Sequence, residues 1–92
     1  MSHRINQKDL ELVLHRINTA TGQALEGWTK QANGRYRANV GTYILDYAYG
    51  GVRLAQLCTE GGGETDLTGL GTKRETYHRM HAFLRGVATP EA

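Results

Sequence analysis

A glycine-rich segment that leads into the start of a helix is the part of the sequence best suited to ligand chemistry. Its candidate ligand-binding residues are Gly61, Gly62, Gly63, Thr72, Lys73 and Arg74. Glycine lets the backbone approach a ligand closely, and the free N–H groups of a helix N-terminus favour anions. Lys73 and Arg74 oppose the helix dipole there, and a bound phosphate would reverse that penalty. The segment therefore predicts an anion site; the alternative is a mobile loop before an ordinary capped helix with solvated cations.

Three further side chains, Tyr49, Arg53 and Tyr77, complete this predicted site. Arginine or tyrosine can hold the ring or sugar of a nucleotide-like ligand, and tyrosine can stack on a purine. The alternative places the tyrosines in the core or at its rim, or one of them at a subunit interface, where tyrosine is enriched. We expect an anionic, nucleotide-like small molecule as the first class of partner.

A second surface is predicted on one face of a sheet, where Trp28 joins Lys30, Arg35 and Arg37. Cations bind backbone phosphates and an indole stacks on a base, so this face suits single-stranded nucleic acid. However, the predicted register puts Asp46 opposite Arg37, and the net charge of +2 is low for a nucleic-acid-binding protein. A solvated face with a cross-strand ion pair is the alternative.

The histidines and the cysteine offer little for catalysis. His78 and His81 are three residues apart on a predicted helix, but no third ligand is spaced to join them, so we expect no metal and no cofactor. A nucleotide hydrolase that uses these histidines is the enzymatic alternative, although no nucleophile or orienting carboxylate is marked. Cys58 ends a predicted strand on its buried face, which indicates an inert core thiol. We expect no catalysis.

Two helices and four strands are predicted to position these residues. Asn6 and Asp9 can cap a helix over residues 6–21, whose apolar positions follow helical spacing, and Gly22 can end it. Strands are predicted over residues 28–32, 35–40, 43–49 and 52–58. A glycine-rich loop over residues 60–71 then leads to a helix over residues 72–86, where Thr72 and Glu75 form a capping box.

Glycine-containing turns set the predicted strand pairing. Two-residue turns at Gly41-Thr42 and at Gly50-Gly51 place Ala38 opposite Leu45 and Tyr47 opposite Leu54. Both turns put the apolar side chains on one side of the sheet. The predicted fold is α+β with the order α-β-β-β-β-α, an antiparallel meander with two helices packed on one face.

Size and composition limit the class of protein. The chain has 92 residues, so residues 1–92 are predicted to form a single domain, and so small a domain often gains from forming a homo-oligomer. A single cysteine excludes an intramolecular disulfide framework and suits the cytoplasm. The longest apolar run has three residues, Leu12 to Leu14, so no membrane partner is expected.

The sequence also resembles a group of small, mostly uncharacterised proteins of tailed bacteriophages. The similar segments are Gly41-Thr42-Tyr43-x-Leu45-x-x-Ala48-Tyr49-Gly50-Gly51, Glu60-Gly61-Gly62-Gly63, Thr72-Lys73-Arg74-Glu75-x-Tyr77, Met80-His81-Ala82-Phe83-x-Arg85-Gly86 and Arg16-Ile17-Asn18-x-x-Thr21-Gly22. The resemblance implies a phage protein in the host cytoplasm and transfers no catalytic residue. It implies sequestration of a nucleotide signal of antiphage immunity or, alternatively, inhibition of a host enzyme or defence complex through a protein–protein surface.

Overall fold

The computed structural model describes residues 4–88 as two helices and five strands. The elements are α1 (Gln7–Thr21), β1 (Trp28–Lys30), β2 (Tyr36–Ala38), β3 (Tyr43–Ala48), β4 (Gly51–Leu57), β5 (Glu64–Asp66) and α2 (Lys73–Ala88). The predicted α+β class is confirmed. The ends of the predicted domain, residues 1–3 and 89–92, lie outside the described residues.

Helix α1 has the ends that the sequence predicts. The Asn6 side chain accepts the Asp9 N–H at 3.1 Å, and the Asp9 carboxylate accepts the Asn6 N–H at 3.0 Å. Gly22 ends the helix in the left-handed conformation. Leu10, Val13 and Ile17 are buried on the face predicted to meet the sheet, so this helix is held by its caps and by one apolar stripe.

A three-stranded antiparallel sheet in the order β3-β4-β5 forms the centre of the fold. The turn between β3 and β4 is Tyr49-Gly50, so Tyr47 lies opposite Val52 and not opposite Leu54 as predicted. This shift by two residues corrects the pairing but keeps each side chain on its predicted side, because side chains alternate with a period of two.

Strand β5 falls inside the segment predicted to be a glycine-rich loop. The chain turns back after Cys58, whose N–H donates to the carbonyl of Gly63 at 2.7 Å. The three residues of β5, Glu64–Asp66, are exposed and contain no apolar side chain. The usual alternation of apolar and polar residues is therefore absent, and sequence patterning had no signal for this strand.

Strands β1 and β2 form a separate two-stranded sheet and do not extend a four-stranded meander. The predicted turn at Gly41-Thr42 is absent because the backbone there bonds elsewhere: the Asn39 N–H donates to Gly27 and the Gly41 N–H to Leu57. Strand β2 therefore bends away from β3, and no strand within residues 4–88 pairs with the outer edge of β3.

Both helices pack on one face of the three-stranded sheet, as predicted. Their buried side chains meet Val52 and Leu54 of β4, and Met80 is the main contribution of α2. The N-terminal end of α2 is fixed by the buried Thr76 hydroxyl, which donates to the carbonyl of Val52 at 2.7 Å. The opposite face of the sheet is covered at one end, where Ile44 and Leu57 contact Gly27.

Candidate functional site

One end of the sheet brings the β3–β4 turn next to the start of α2. Gly71 pairs with Val52 through two backbone hydrogen bonds of 2.9 and 3.1 Å. This bridge holds the residues just before α2 against β4. As a result Tyr49 and Thr72, which are distant in sequence and both predicted as site residues, line the same concavity.

This concavity, which we call the tip cleft, has a volume of about 290 Å³. It is lined by Tyr49, Gly50, Gly51, Leu70, Gly71, Thr72 and Glu75. Tyr49 is fully exposed (100%), and Leu70 is 44% exposed. The cleft thus has one aromatic wall, one aliphatic side chain and one carboxylate.

The carboxylate of Glu75 occupies the N-terminus of α2. It accepts the Thr72 N–H at 3.0 Å, and the Thr72 hydroxyl accepts the Glu75 N–H at 3.1 Å. These bonds, with Arg79 nearby, hold the pKa of Glu75 below its usual value. The chain's own carboxylate therefore already uses part of the anion-binding capacity that the sequence predicts here.

The predicted site is not assembled as a single pocket. Gly61, Gly62 and Gly63 form the turn between β4 and β5, at the other end of β4 from Gly71 and Thr72. The length of β4 between Val52 and Leu57 separates the two by about 16 Å. At Gly62 a Cβ atom would come within 2.6 Å of the Trp28 ring, so this glycine allows the indole to lie on the backbone.

Lys73 and Arg74 lie exposed in the first turn of α2, next to the tip cleft but not lining it. Tyr77 is half-buried one turn further along. Its ring meets the His81 ring edge-on, with 4.5 Å between the centroids. Tyr77 packs against the core cluster, as the alternative for the tyrosines predicted.

Arg53 lies on the sheet face that points away from the helices, at the centre of three carboxylates. Its guanidinium is 2.8 Å from Asp46, 3.6 Å from Asp66 and 3.7 Å from Glu64. The hydrogen bond to Asp46 is the main reason that the pKa of Arg53 is raised. Arg53 is therefore held by acidic partners of its own sheet and does not line the tip cleft.

The four residues of the nucleic-acid alternative do not share one face. Trp28 lies opposite Ala38 and Thr29 opposite Arg37, a shift of one residue from the prediction. A shift of one turns Arg37 to the side opposite Trp28 and Lys30. Arg35 lies just before β2, where its carbonyl accepts the Gln31 N–H at 2.7 Å. Asp46, predicted to lie opposite Arg37, lies opposite Arg53.

The remaining candidates keep apart from the tip cleft. Cys58 is exposed, which corrects the prediction of a buried thiol, and its sulfur lies 3.1 Å from the Thr65 hydroxyl. Burial lowers the pKa of His81, and its Nε2 atom is buried without a hydrogen-bond partner among the described residues. Within residues 4–88, no group of three or more His, Cys, Asp or Glu side chains is placed to hold a metal ion.

Two residues of this end of the molecule were absent from the predicted site: Tyr47, which is 45% exposed, and Leu70. For Leu70 the sequence holds no signal, since it lies in an irregular segment. For Tyr47 the signal was misleading, because its strand position placed it on the core side. Tyr47 does lie on the core side of β3, but at the outer edge of the sheet, where its side chain stays exposed.

Comparison of the chain with protein-family profiles, with curated proteins and with solved structures finds no match. The resemblance to phage proteins therefore stays a prediction. None of the helices in the described part of the chain combines the length and the apolar character needed to cross a membrane. The class that the structure defines is a small α+β domain with a three-stranded and a two-stranded sheet.

Proposed function

We propose that this protein is a non-enzymatic binding domain that recognises another protein through one end of its sheet. The contact surface, which we call the tip surface, consists of Tyr49 and Leu70, which line the tip cleft, and of the exposed Tyr47 near the end of β3. Among the predictions from sequence, this corresponds to the protein–protein inhibitor. The target class implied by the phage resemblance is a host enzyme or defence complex.

The observation that carries the proposal is the backbone of Tyr49. Its φ is 50°, and it is the one non-glycine residue between positions 4 and 88 with a positive φ. For a bulky residue this conformation is unfavourable by about 1 kcal/mol or more. The side chain recovers nothing by packing, because it is fully exposed. The two-residue turn requires a positive φ at this position, which glycine or asparagine adopts at lower cost. A strained residue kept in place of the preferred one is typical of functional positions.

The surroundings of Tyr49 fit a protein partner. Exposed tyrosines supply large contact areas with few rotatable bonds and are enriched among the residues that dominate binding energy. Leu70 borders the same cleft and offers apolar area beside the ring. A partner side chain that enters the cleft would bury both.

A nucleotide-like anion is less well supported at this place. The cleft volume of about 290 Å³ lies at the lower end of small-molecule pockets. Glu75 lines it and already accepts the Thr72 N–H. A phosphate would therefore meet a carboxylate and would need to displace it.

Site-specific photo-crosslinking tests the proposal. Tyr49 is replaced by a benzophenone amino acid, and the protein is expressed in bacterial cells and irradiated. This variant is expected to give one discrete protein adduct. The matched control carries the same group at Asn33, which is exposed in the loop of the other hairpin. Absence of an adduct at Tyr49, or the same adducts from both positions, overturns the proposal.

Thermal shift measurements with cyclic dinucleotides, ADP-ribose derivatives and mononucleotides separate the two partner classes. A protein-binding domain is expected to show no change in Tm with any of them. A rise in Tm that is lost in a Lys73→Ala, Arg74→Ala double variant would instead support the anionic ligand and contradict the proposal.

A further inference from the structure

The outer edge of β3 has no partner strand among residues 4–88. The Leu57 N–H donates to the Thr42 carbonyl at 2.9 Å, and Thr42 continues the β3–β4 pairing by one step. In an antiparallel pair, the residues that bond the neighbouring strand alternate with residues that point their N–H and C=O groups away. The backbone groups that bond β4 are those of Thr42, Ile44, Asp46 and Ala48. The backbone N–H and C=O groups of Tyr43, Leu45 and Tyr47 point away from β4.

The side chain of Asn18 from α1 occupies the first of these outward positions. Its Oδ1 atom accepts the Tyr43 N–H at 2.8 Å, and its Nδ2 atom donates to the Tyr43 carbonyl at 3.0 Å. The amide thus takes the place of a neighbouring strand. Leu45 and Tyr47 receive no such cover: their outward groups have no hydrogen-bond partner among residues 4–88.

We propose that the β3 edge at Leu45 and Tyr47 binds an extended segment of the partner protein as an added antiparallel strand, with a lysine or arginine of that segment opposite Asp46. This inference rests on the proposed function and names the kind of partner that the tip surface recognises. Addition of a strand to a free sheet edge is an established mode of peptide recognition, in which main-chain bonds give affinity and side chains give specificity.

The charge next to the edge selects a basic residue. Asp46 lies between the two outward-pointing residues, and its side chain is 33% exposed. With Glu64 and Asp66 it surrounds the guanidinium of Arg53, so three carboxylates face one cation and the cluster keeps a net charge of −2. A cation on the added strand opposite Asp46 would reduce this excess.

The helix side of the same edge carries mixed charge. Burial raises the pKa of the Tyr47 hydroxyl, and the Glu11 carboxylate of α1 adds to the rise. Glu11 lines a surface hollow together with Lys8, so this side adds no net preference. The preference for a basic segment therefore rests on Asp46 and the carboxylates around Arg53.

A second copy of the chain fits this edge poorly. Two-fold pairing that bonds Leu45 of one copy to Tyr47 of the other places Asp46 directly opposite Asp46. Residues opposite each other at such a position approach to about 4.5 Å between Cα atoms, where like charges are destabilising. The edge is thus protected against self-association and open to a partner of opposite charge.

An NMR titration of the whole protein with a short peptide tests the inference. The probe is an acetylated and amidated pentapeptide, Thr-Val-Lys-Val-Thr, which would place its lysine opposite Asp46. The backbone amide protons of Leu45 and Tyr47 are expected to move downfield and to exchange more slowly with solvent. Those of Ile44 and Asp46 already bond β4 and are expected to change little.

Peptide variants provide matched controls that leave the protein unchanged. N-methylation of the two valines removes the donors that face β3 and is expected to weaken binding about tenfold. N-methylation of the lysine removes a donor that points away and is expected to have little effect. Exchange of the lysine for glutamate is expected to weaken binding about tenfold as well.

The outcomes separate this inference from the proposed function. Shifts confined to Tyr49 and Leu70 overturn the edge as the binding site and leave the tip surface supported. Equal affinity for the lysine and glutamate peptides, or for both kinds of N-methylated peptide, overturns the inference too. So does the absence of any shift at millimolar peptide. The crosslink at Tyr49 decides the proposed function independently of the peptide.

Discussion

The two β-hairpins of this protein make their turns with different residues. The β1–β2 hairpin closes through a loop over residues 32–34, in which Gly34 alone has a positive φ and Asn33 accepts the Arg35 N–H at 3.0 Å. The β3–β4 hairpin closes through Tyr49 and Gly50, both with positive φ. Asn-Gly is the preferred pair for such a two-residue turn, and tyrosine is not.

The two turns differ in whether their residues stabilise the hairpin. The Asn33 side chain accepts the Arg35 N–H, and its loop contains no non-glycine residue with a positive φ. Tyr49 is strained and contributes no packing. The conformational preference of turn residues is therefore violated at the tip cleft, by Tyr49, and respected in the β1–β2 hairpin.

The hairpins differ in burial as well. Strand β4 supplies Val52 and Leu54 to the core under both helices. Strands β1 and β2 are exposed apart from Ala38. One hairpin is therefore part of the core, and the other lies at its margin, held by contacts such as that of Trp28 with Gly62.

Truncation of one side chain in each hairpin tests this difference in burial and is predicted to give the largest change. Leu54→Ala removes a fully buried side chain and is expected to lower the free energy of unfolding by about 3 kcal/mol. Tyr36→Ala alters a side chain that is 63% exposed and is expected to change it by less than about 0.5 kcal/mol. Urea denaturation measures both. Equal losses would show that the β1–β2 hairpin contributes as much to packing as the core strand does.

The second prediction compares two asparagines that bond backbone groups near the hairpins. Asn18→Ala leaves the outward N–H and C=O groups of Tyr43 without their partner and is expected to lower the free energy of unfolding by about 2 kcal/mol. Asn39→Ala removes bonds at a more exposed position, to Glu26 and Thr29, and is expected to lower it by about half as much. Urea denaturation of the two variants in parallel checks this order. A larger loss for Asn39→Ala would show that the backbone groups of Tyr43 are already solvated in the native protein.

A smaller effect of opposite sign is expected at the turns themselves. Tyr49→Asn places the preferred residue in the two-residue turn and is expected to raise the free energy of unfolding by about 1 kcal/mol. Asn33→Tyr, the matched change in the other hairpin, removes the bond to Arg35 and is expected to lower it by about 0.5 kcal/mol. Thermal unfolding checks the pair, and a destabilised Tyr49→Asn variant would remove the argument from strain.

The smallest effect compares two arginines. Arg53→Gln leaves Asp46, Glu64 and Asp66 without their shared cation and is expected to lower Tm modestly, most clearly at low salt. Arg37→Gln changes an exposed side chain on the other hairpin and is expected to leave Tm unchanged at every salt concentration. Equal salt dependence of the two variants would show that the cluster does not stabilise the sheet.

The two strand registers show how far the turns could be predicted. At β3–β4 the predicted turn lay one position late, which shifted the pairing by two residues and left every face correct. At β1–β2 a three-residue loop replaced the predicted two-residue turn, and this shift of one moved Arg37 to the other side. Buried side chains of β4 and half-buried side chains of β3 constrain the faces there, whereas the mostly exposed residues of β1 and β2 provide no such constraint.

The candidate site was predicted only in part, for a related reason. The capping box of Thr72 and Glu75 follows from local sequence, and the structure contains it. Local sequence does not predict the large distance between Thr72 and the glycines 61–63, because that distance depends on where β5 pairs with β4. A strand of three exposed residues has no sequence periodicity, and its pairing with β4 is a tertiary event.

The two helices, both caps of α1, the N-terminal cap of α2 and the side of β3 and β4 that meets the helices follow from the sequence alone, because capping and periodicity act over a few neighbouring residues. Three features depend on the tertiary structure: β2 leaves β3, the Asn18 amide covers Tyr43, and no strand of residues 4–88 covers the edge at Leu45 and Tyr47. These features depend on which backbone groups find partners far along the chain, and no local pattern of residues encodes that choice.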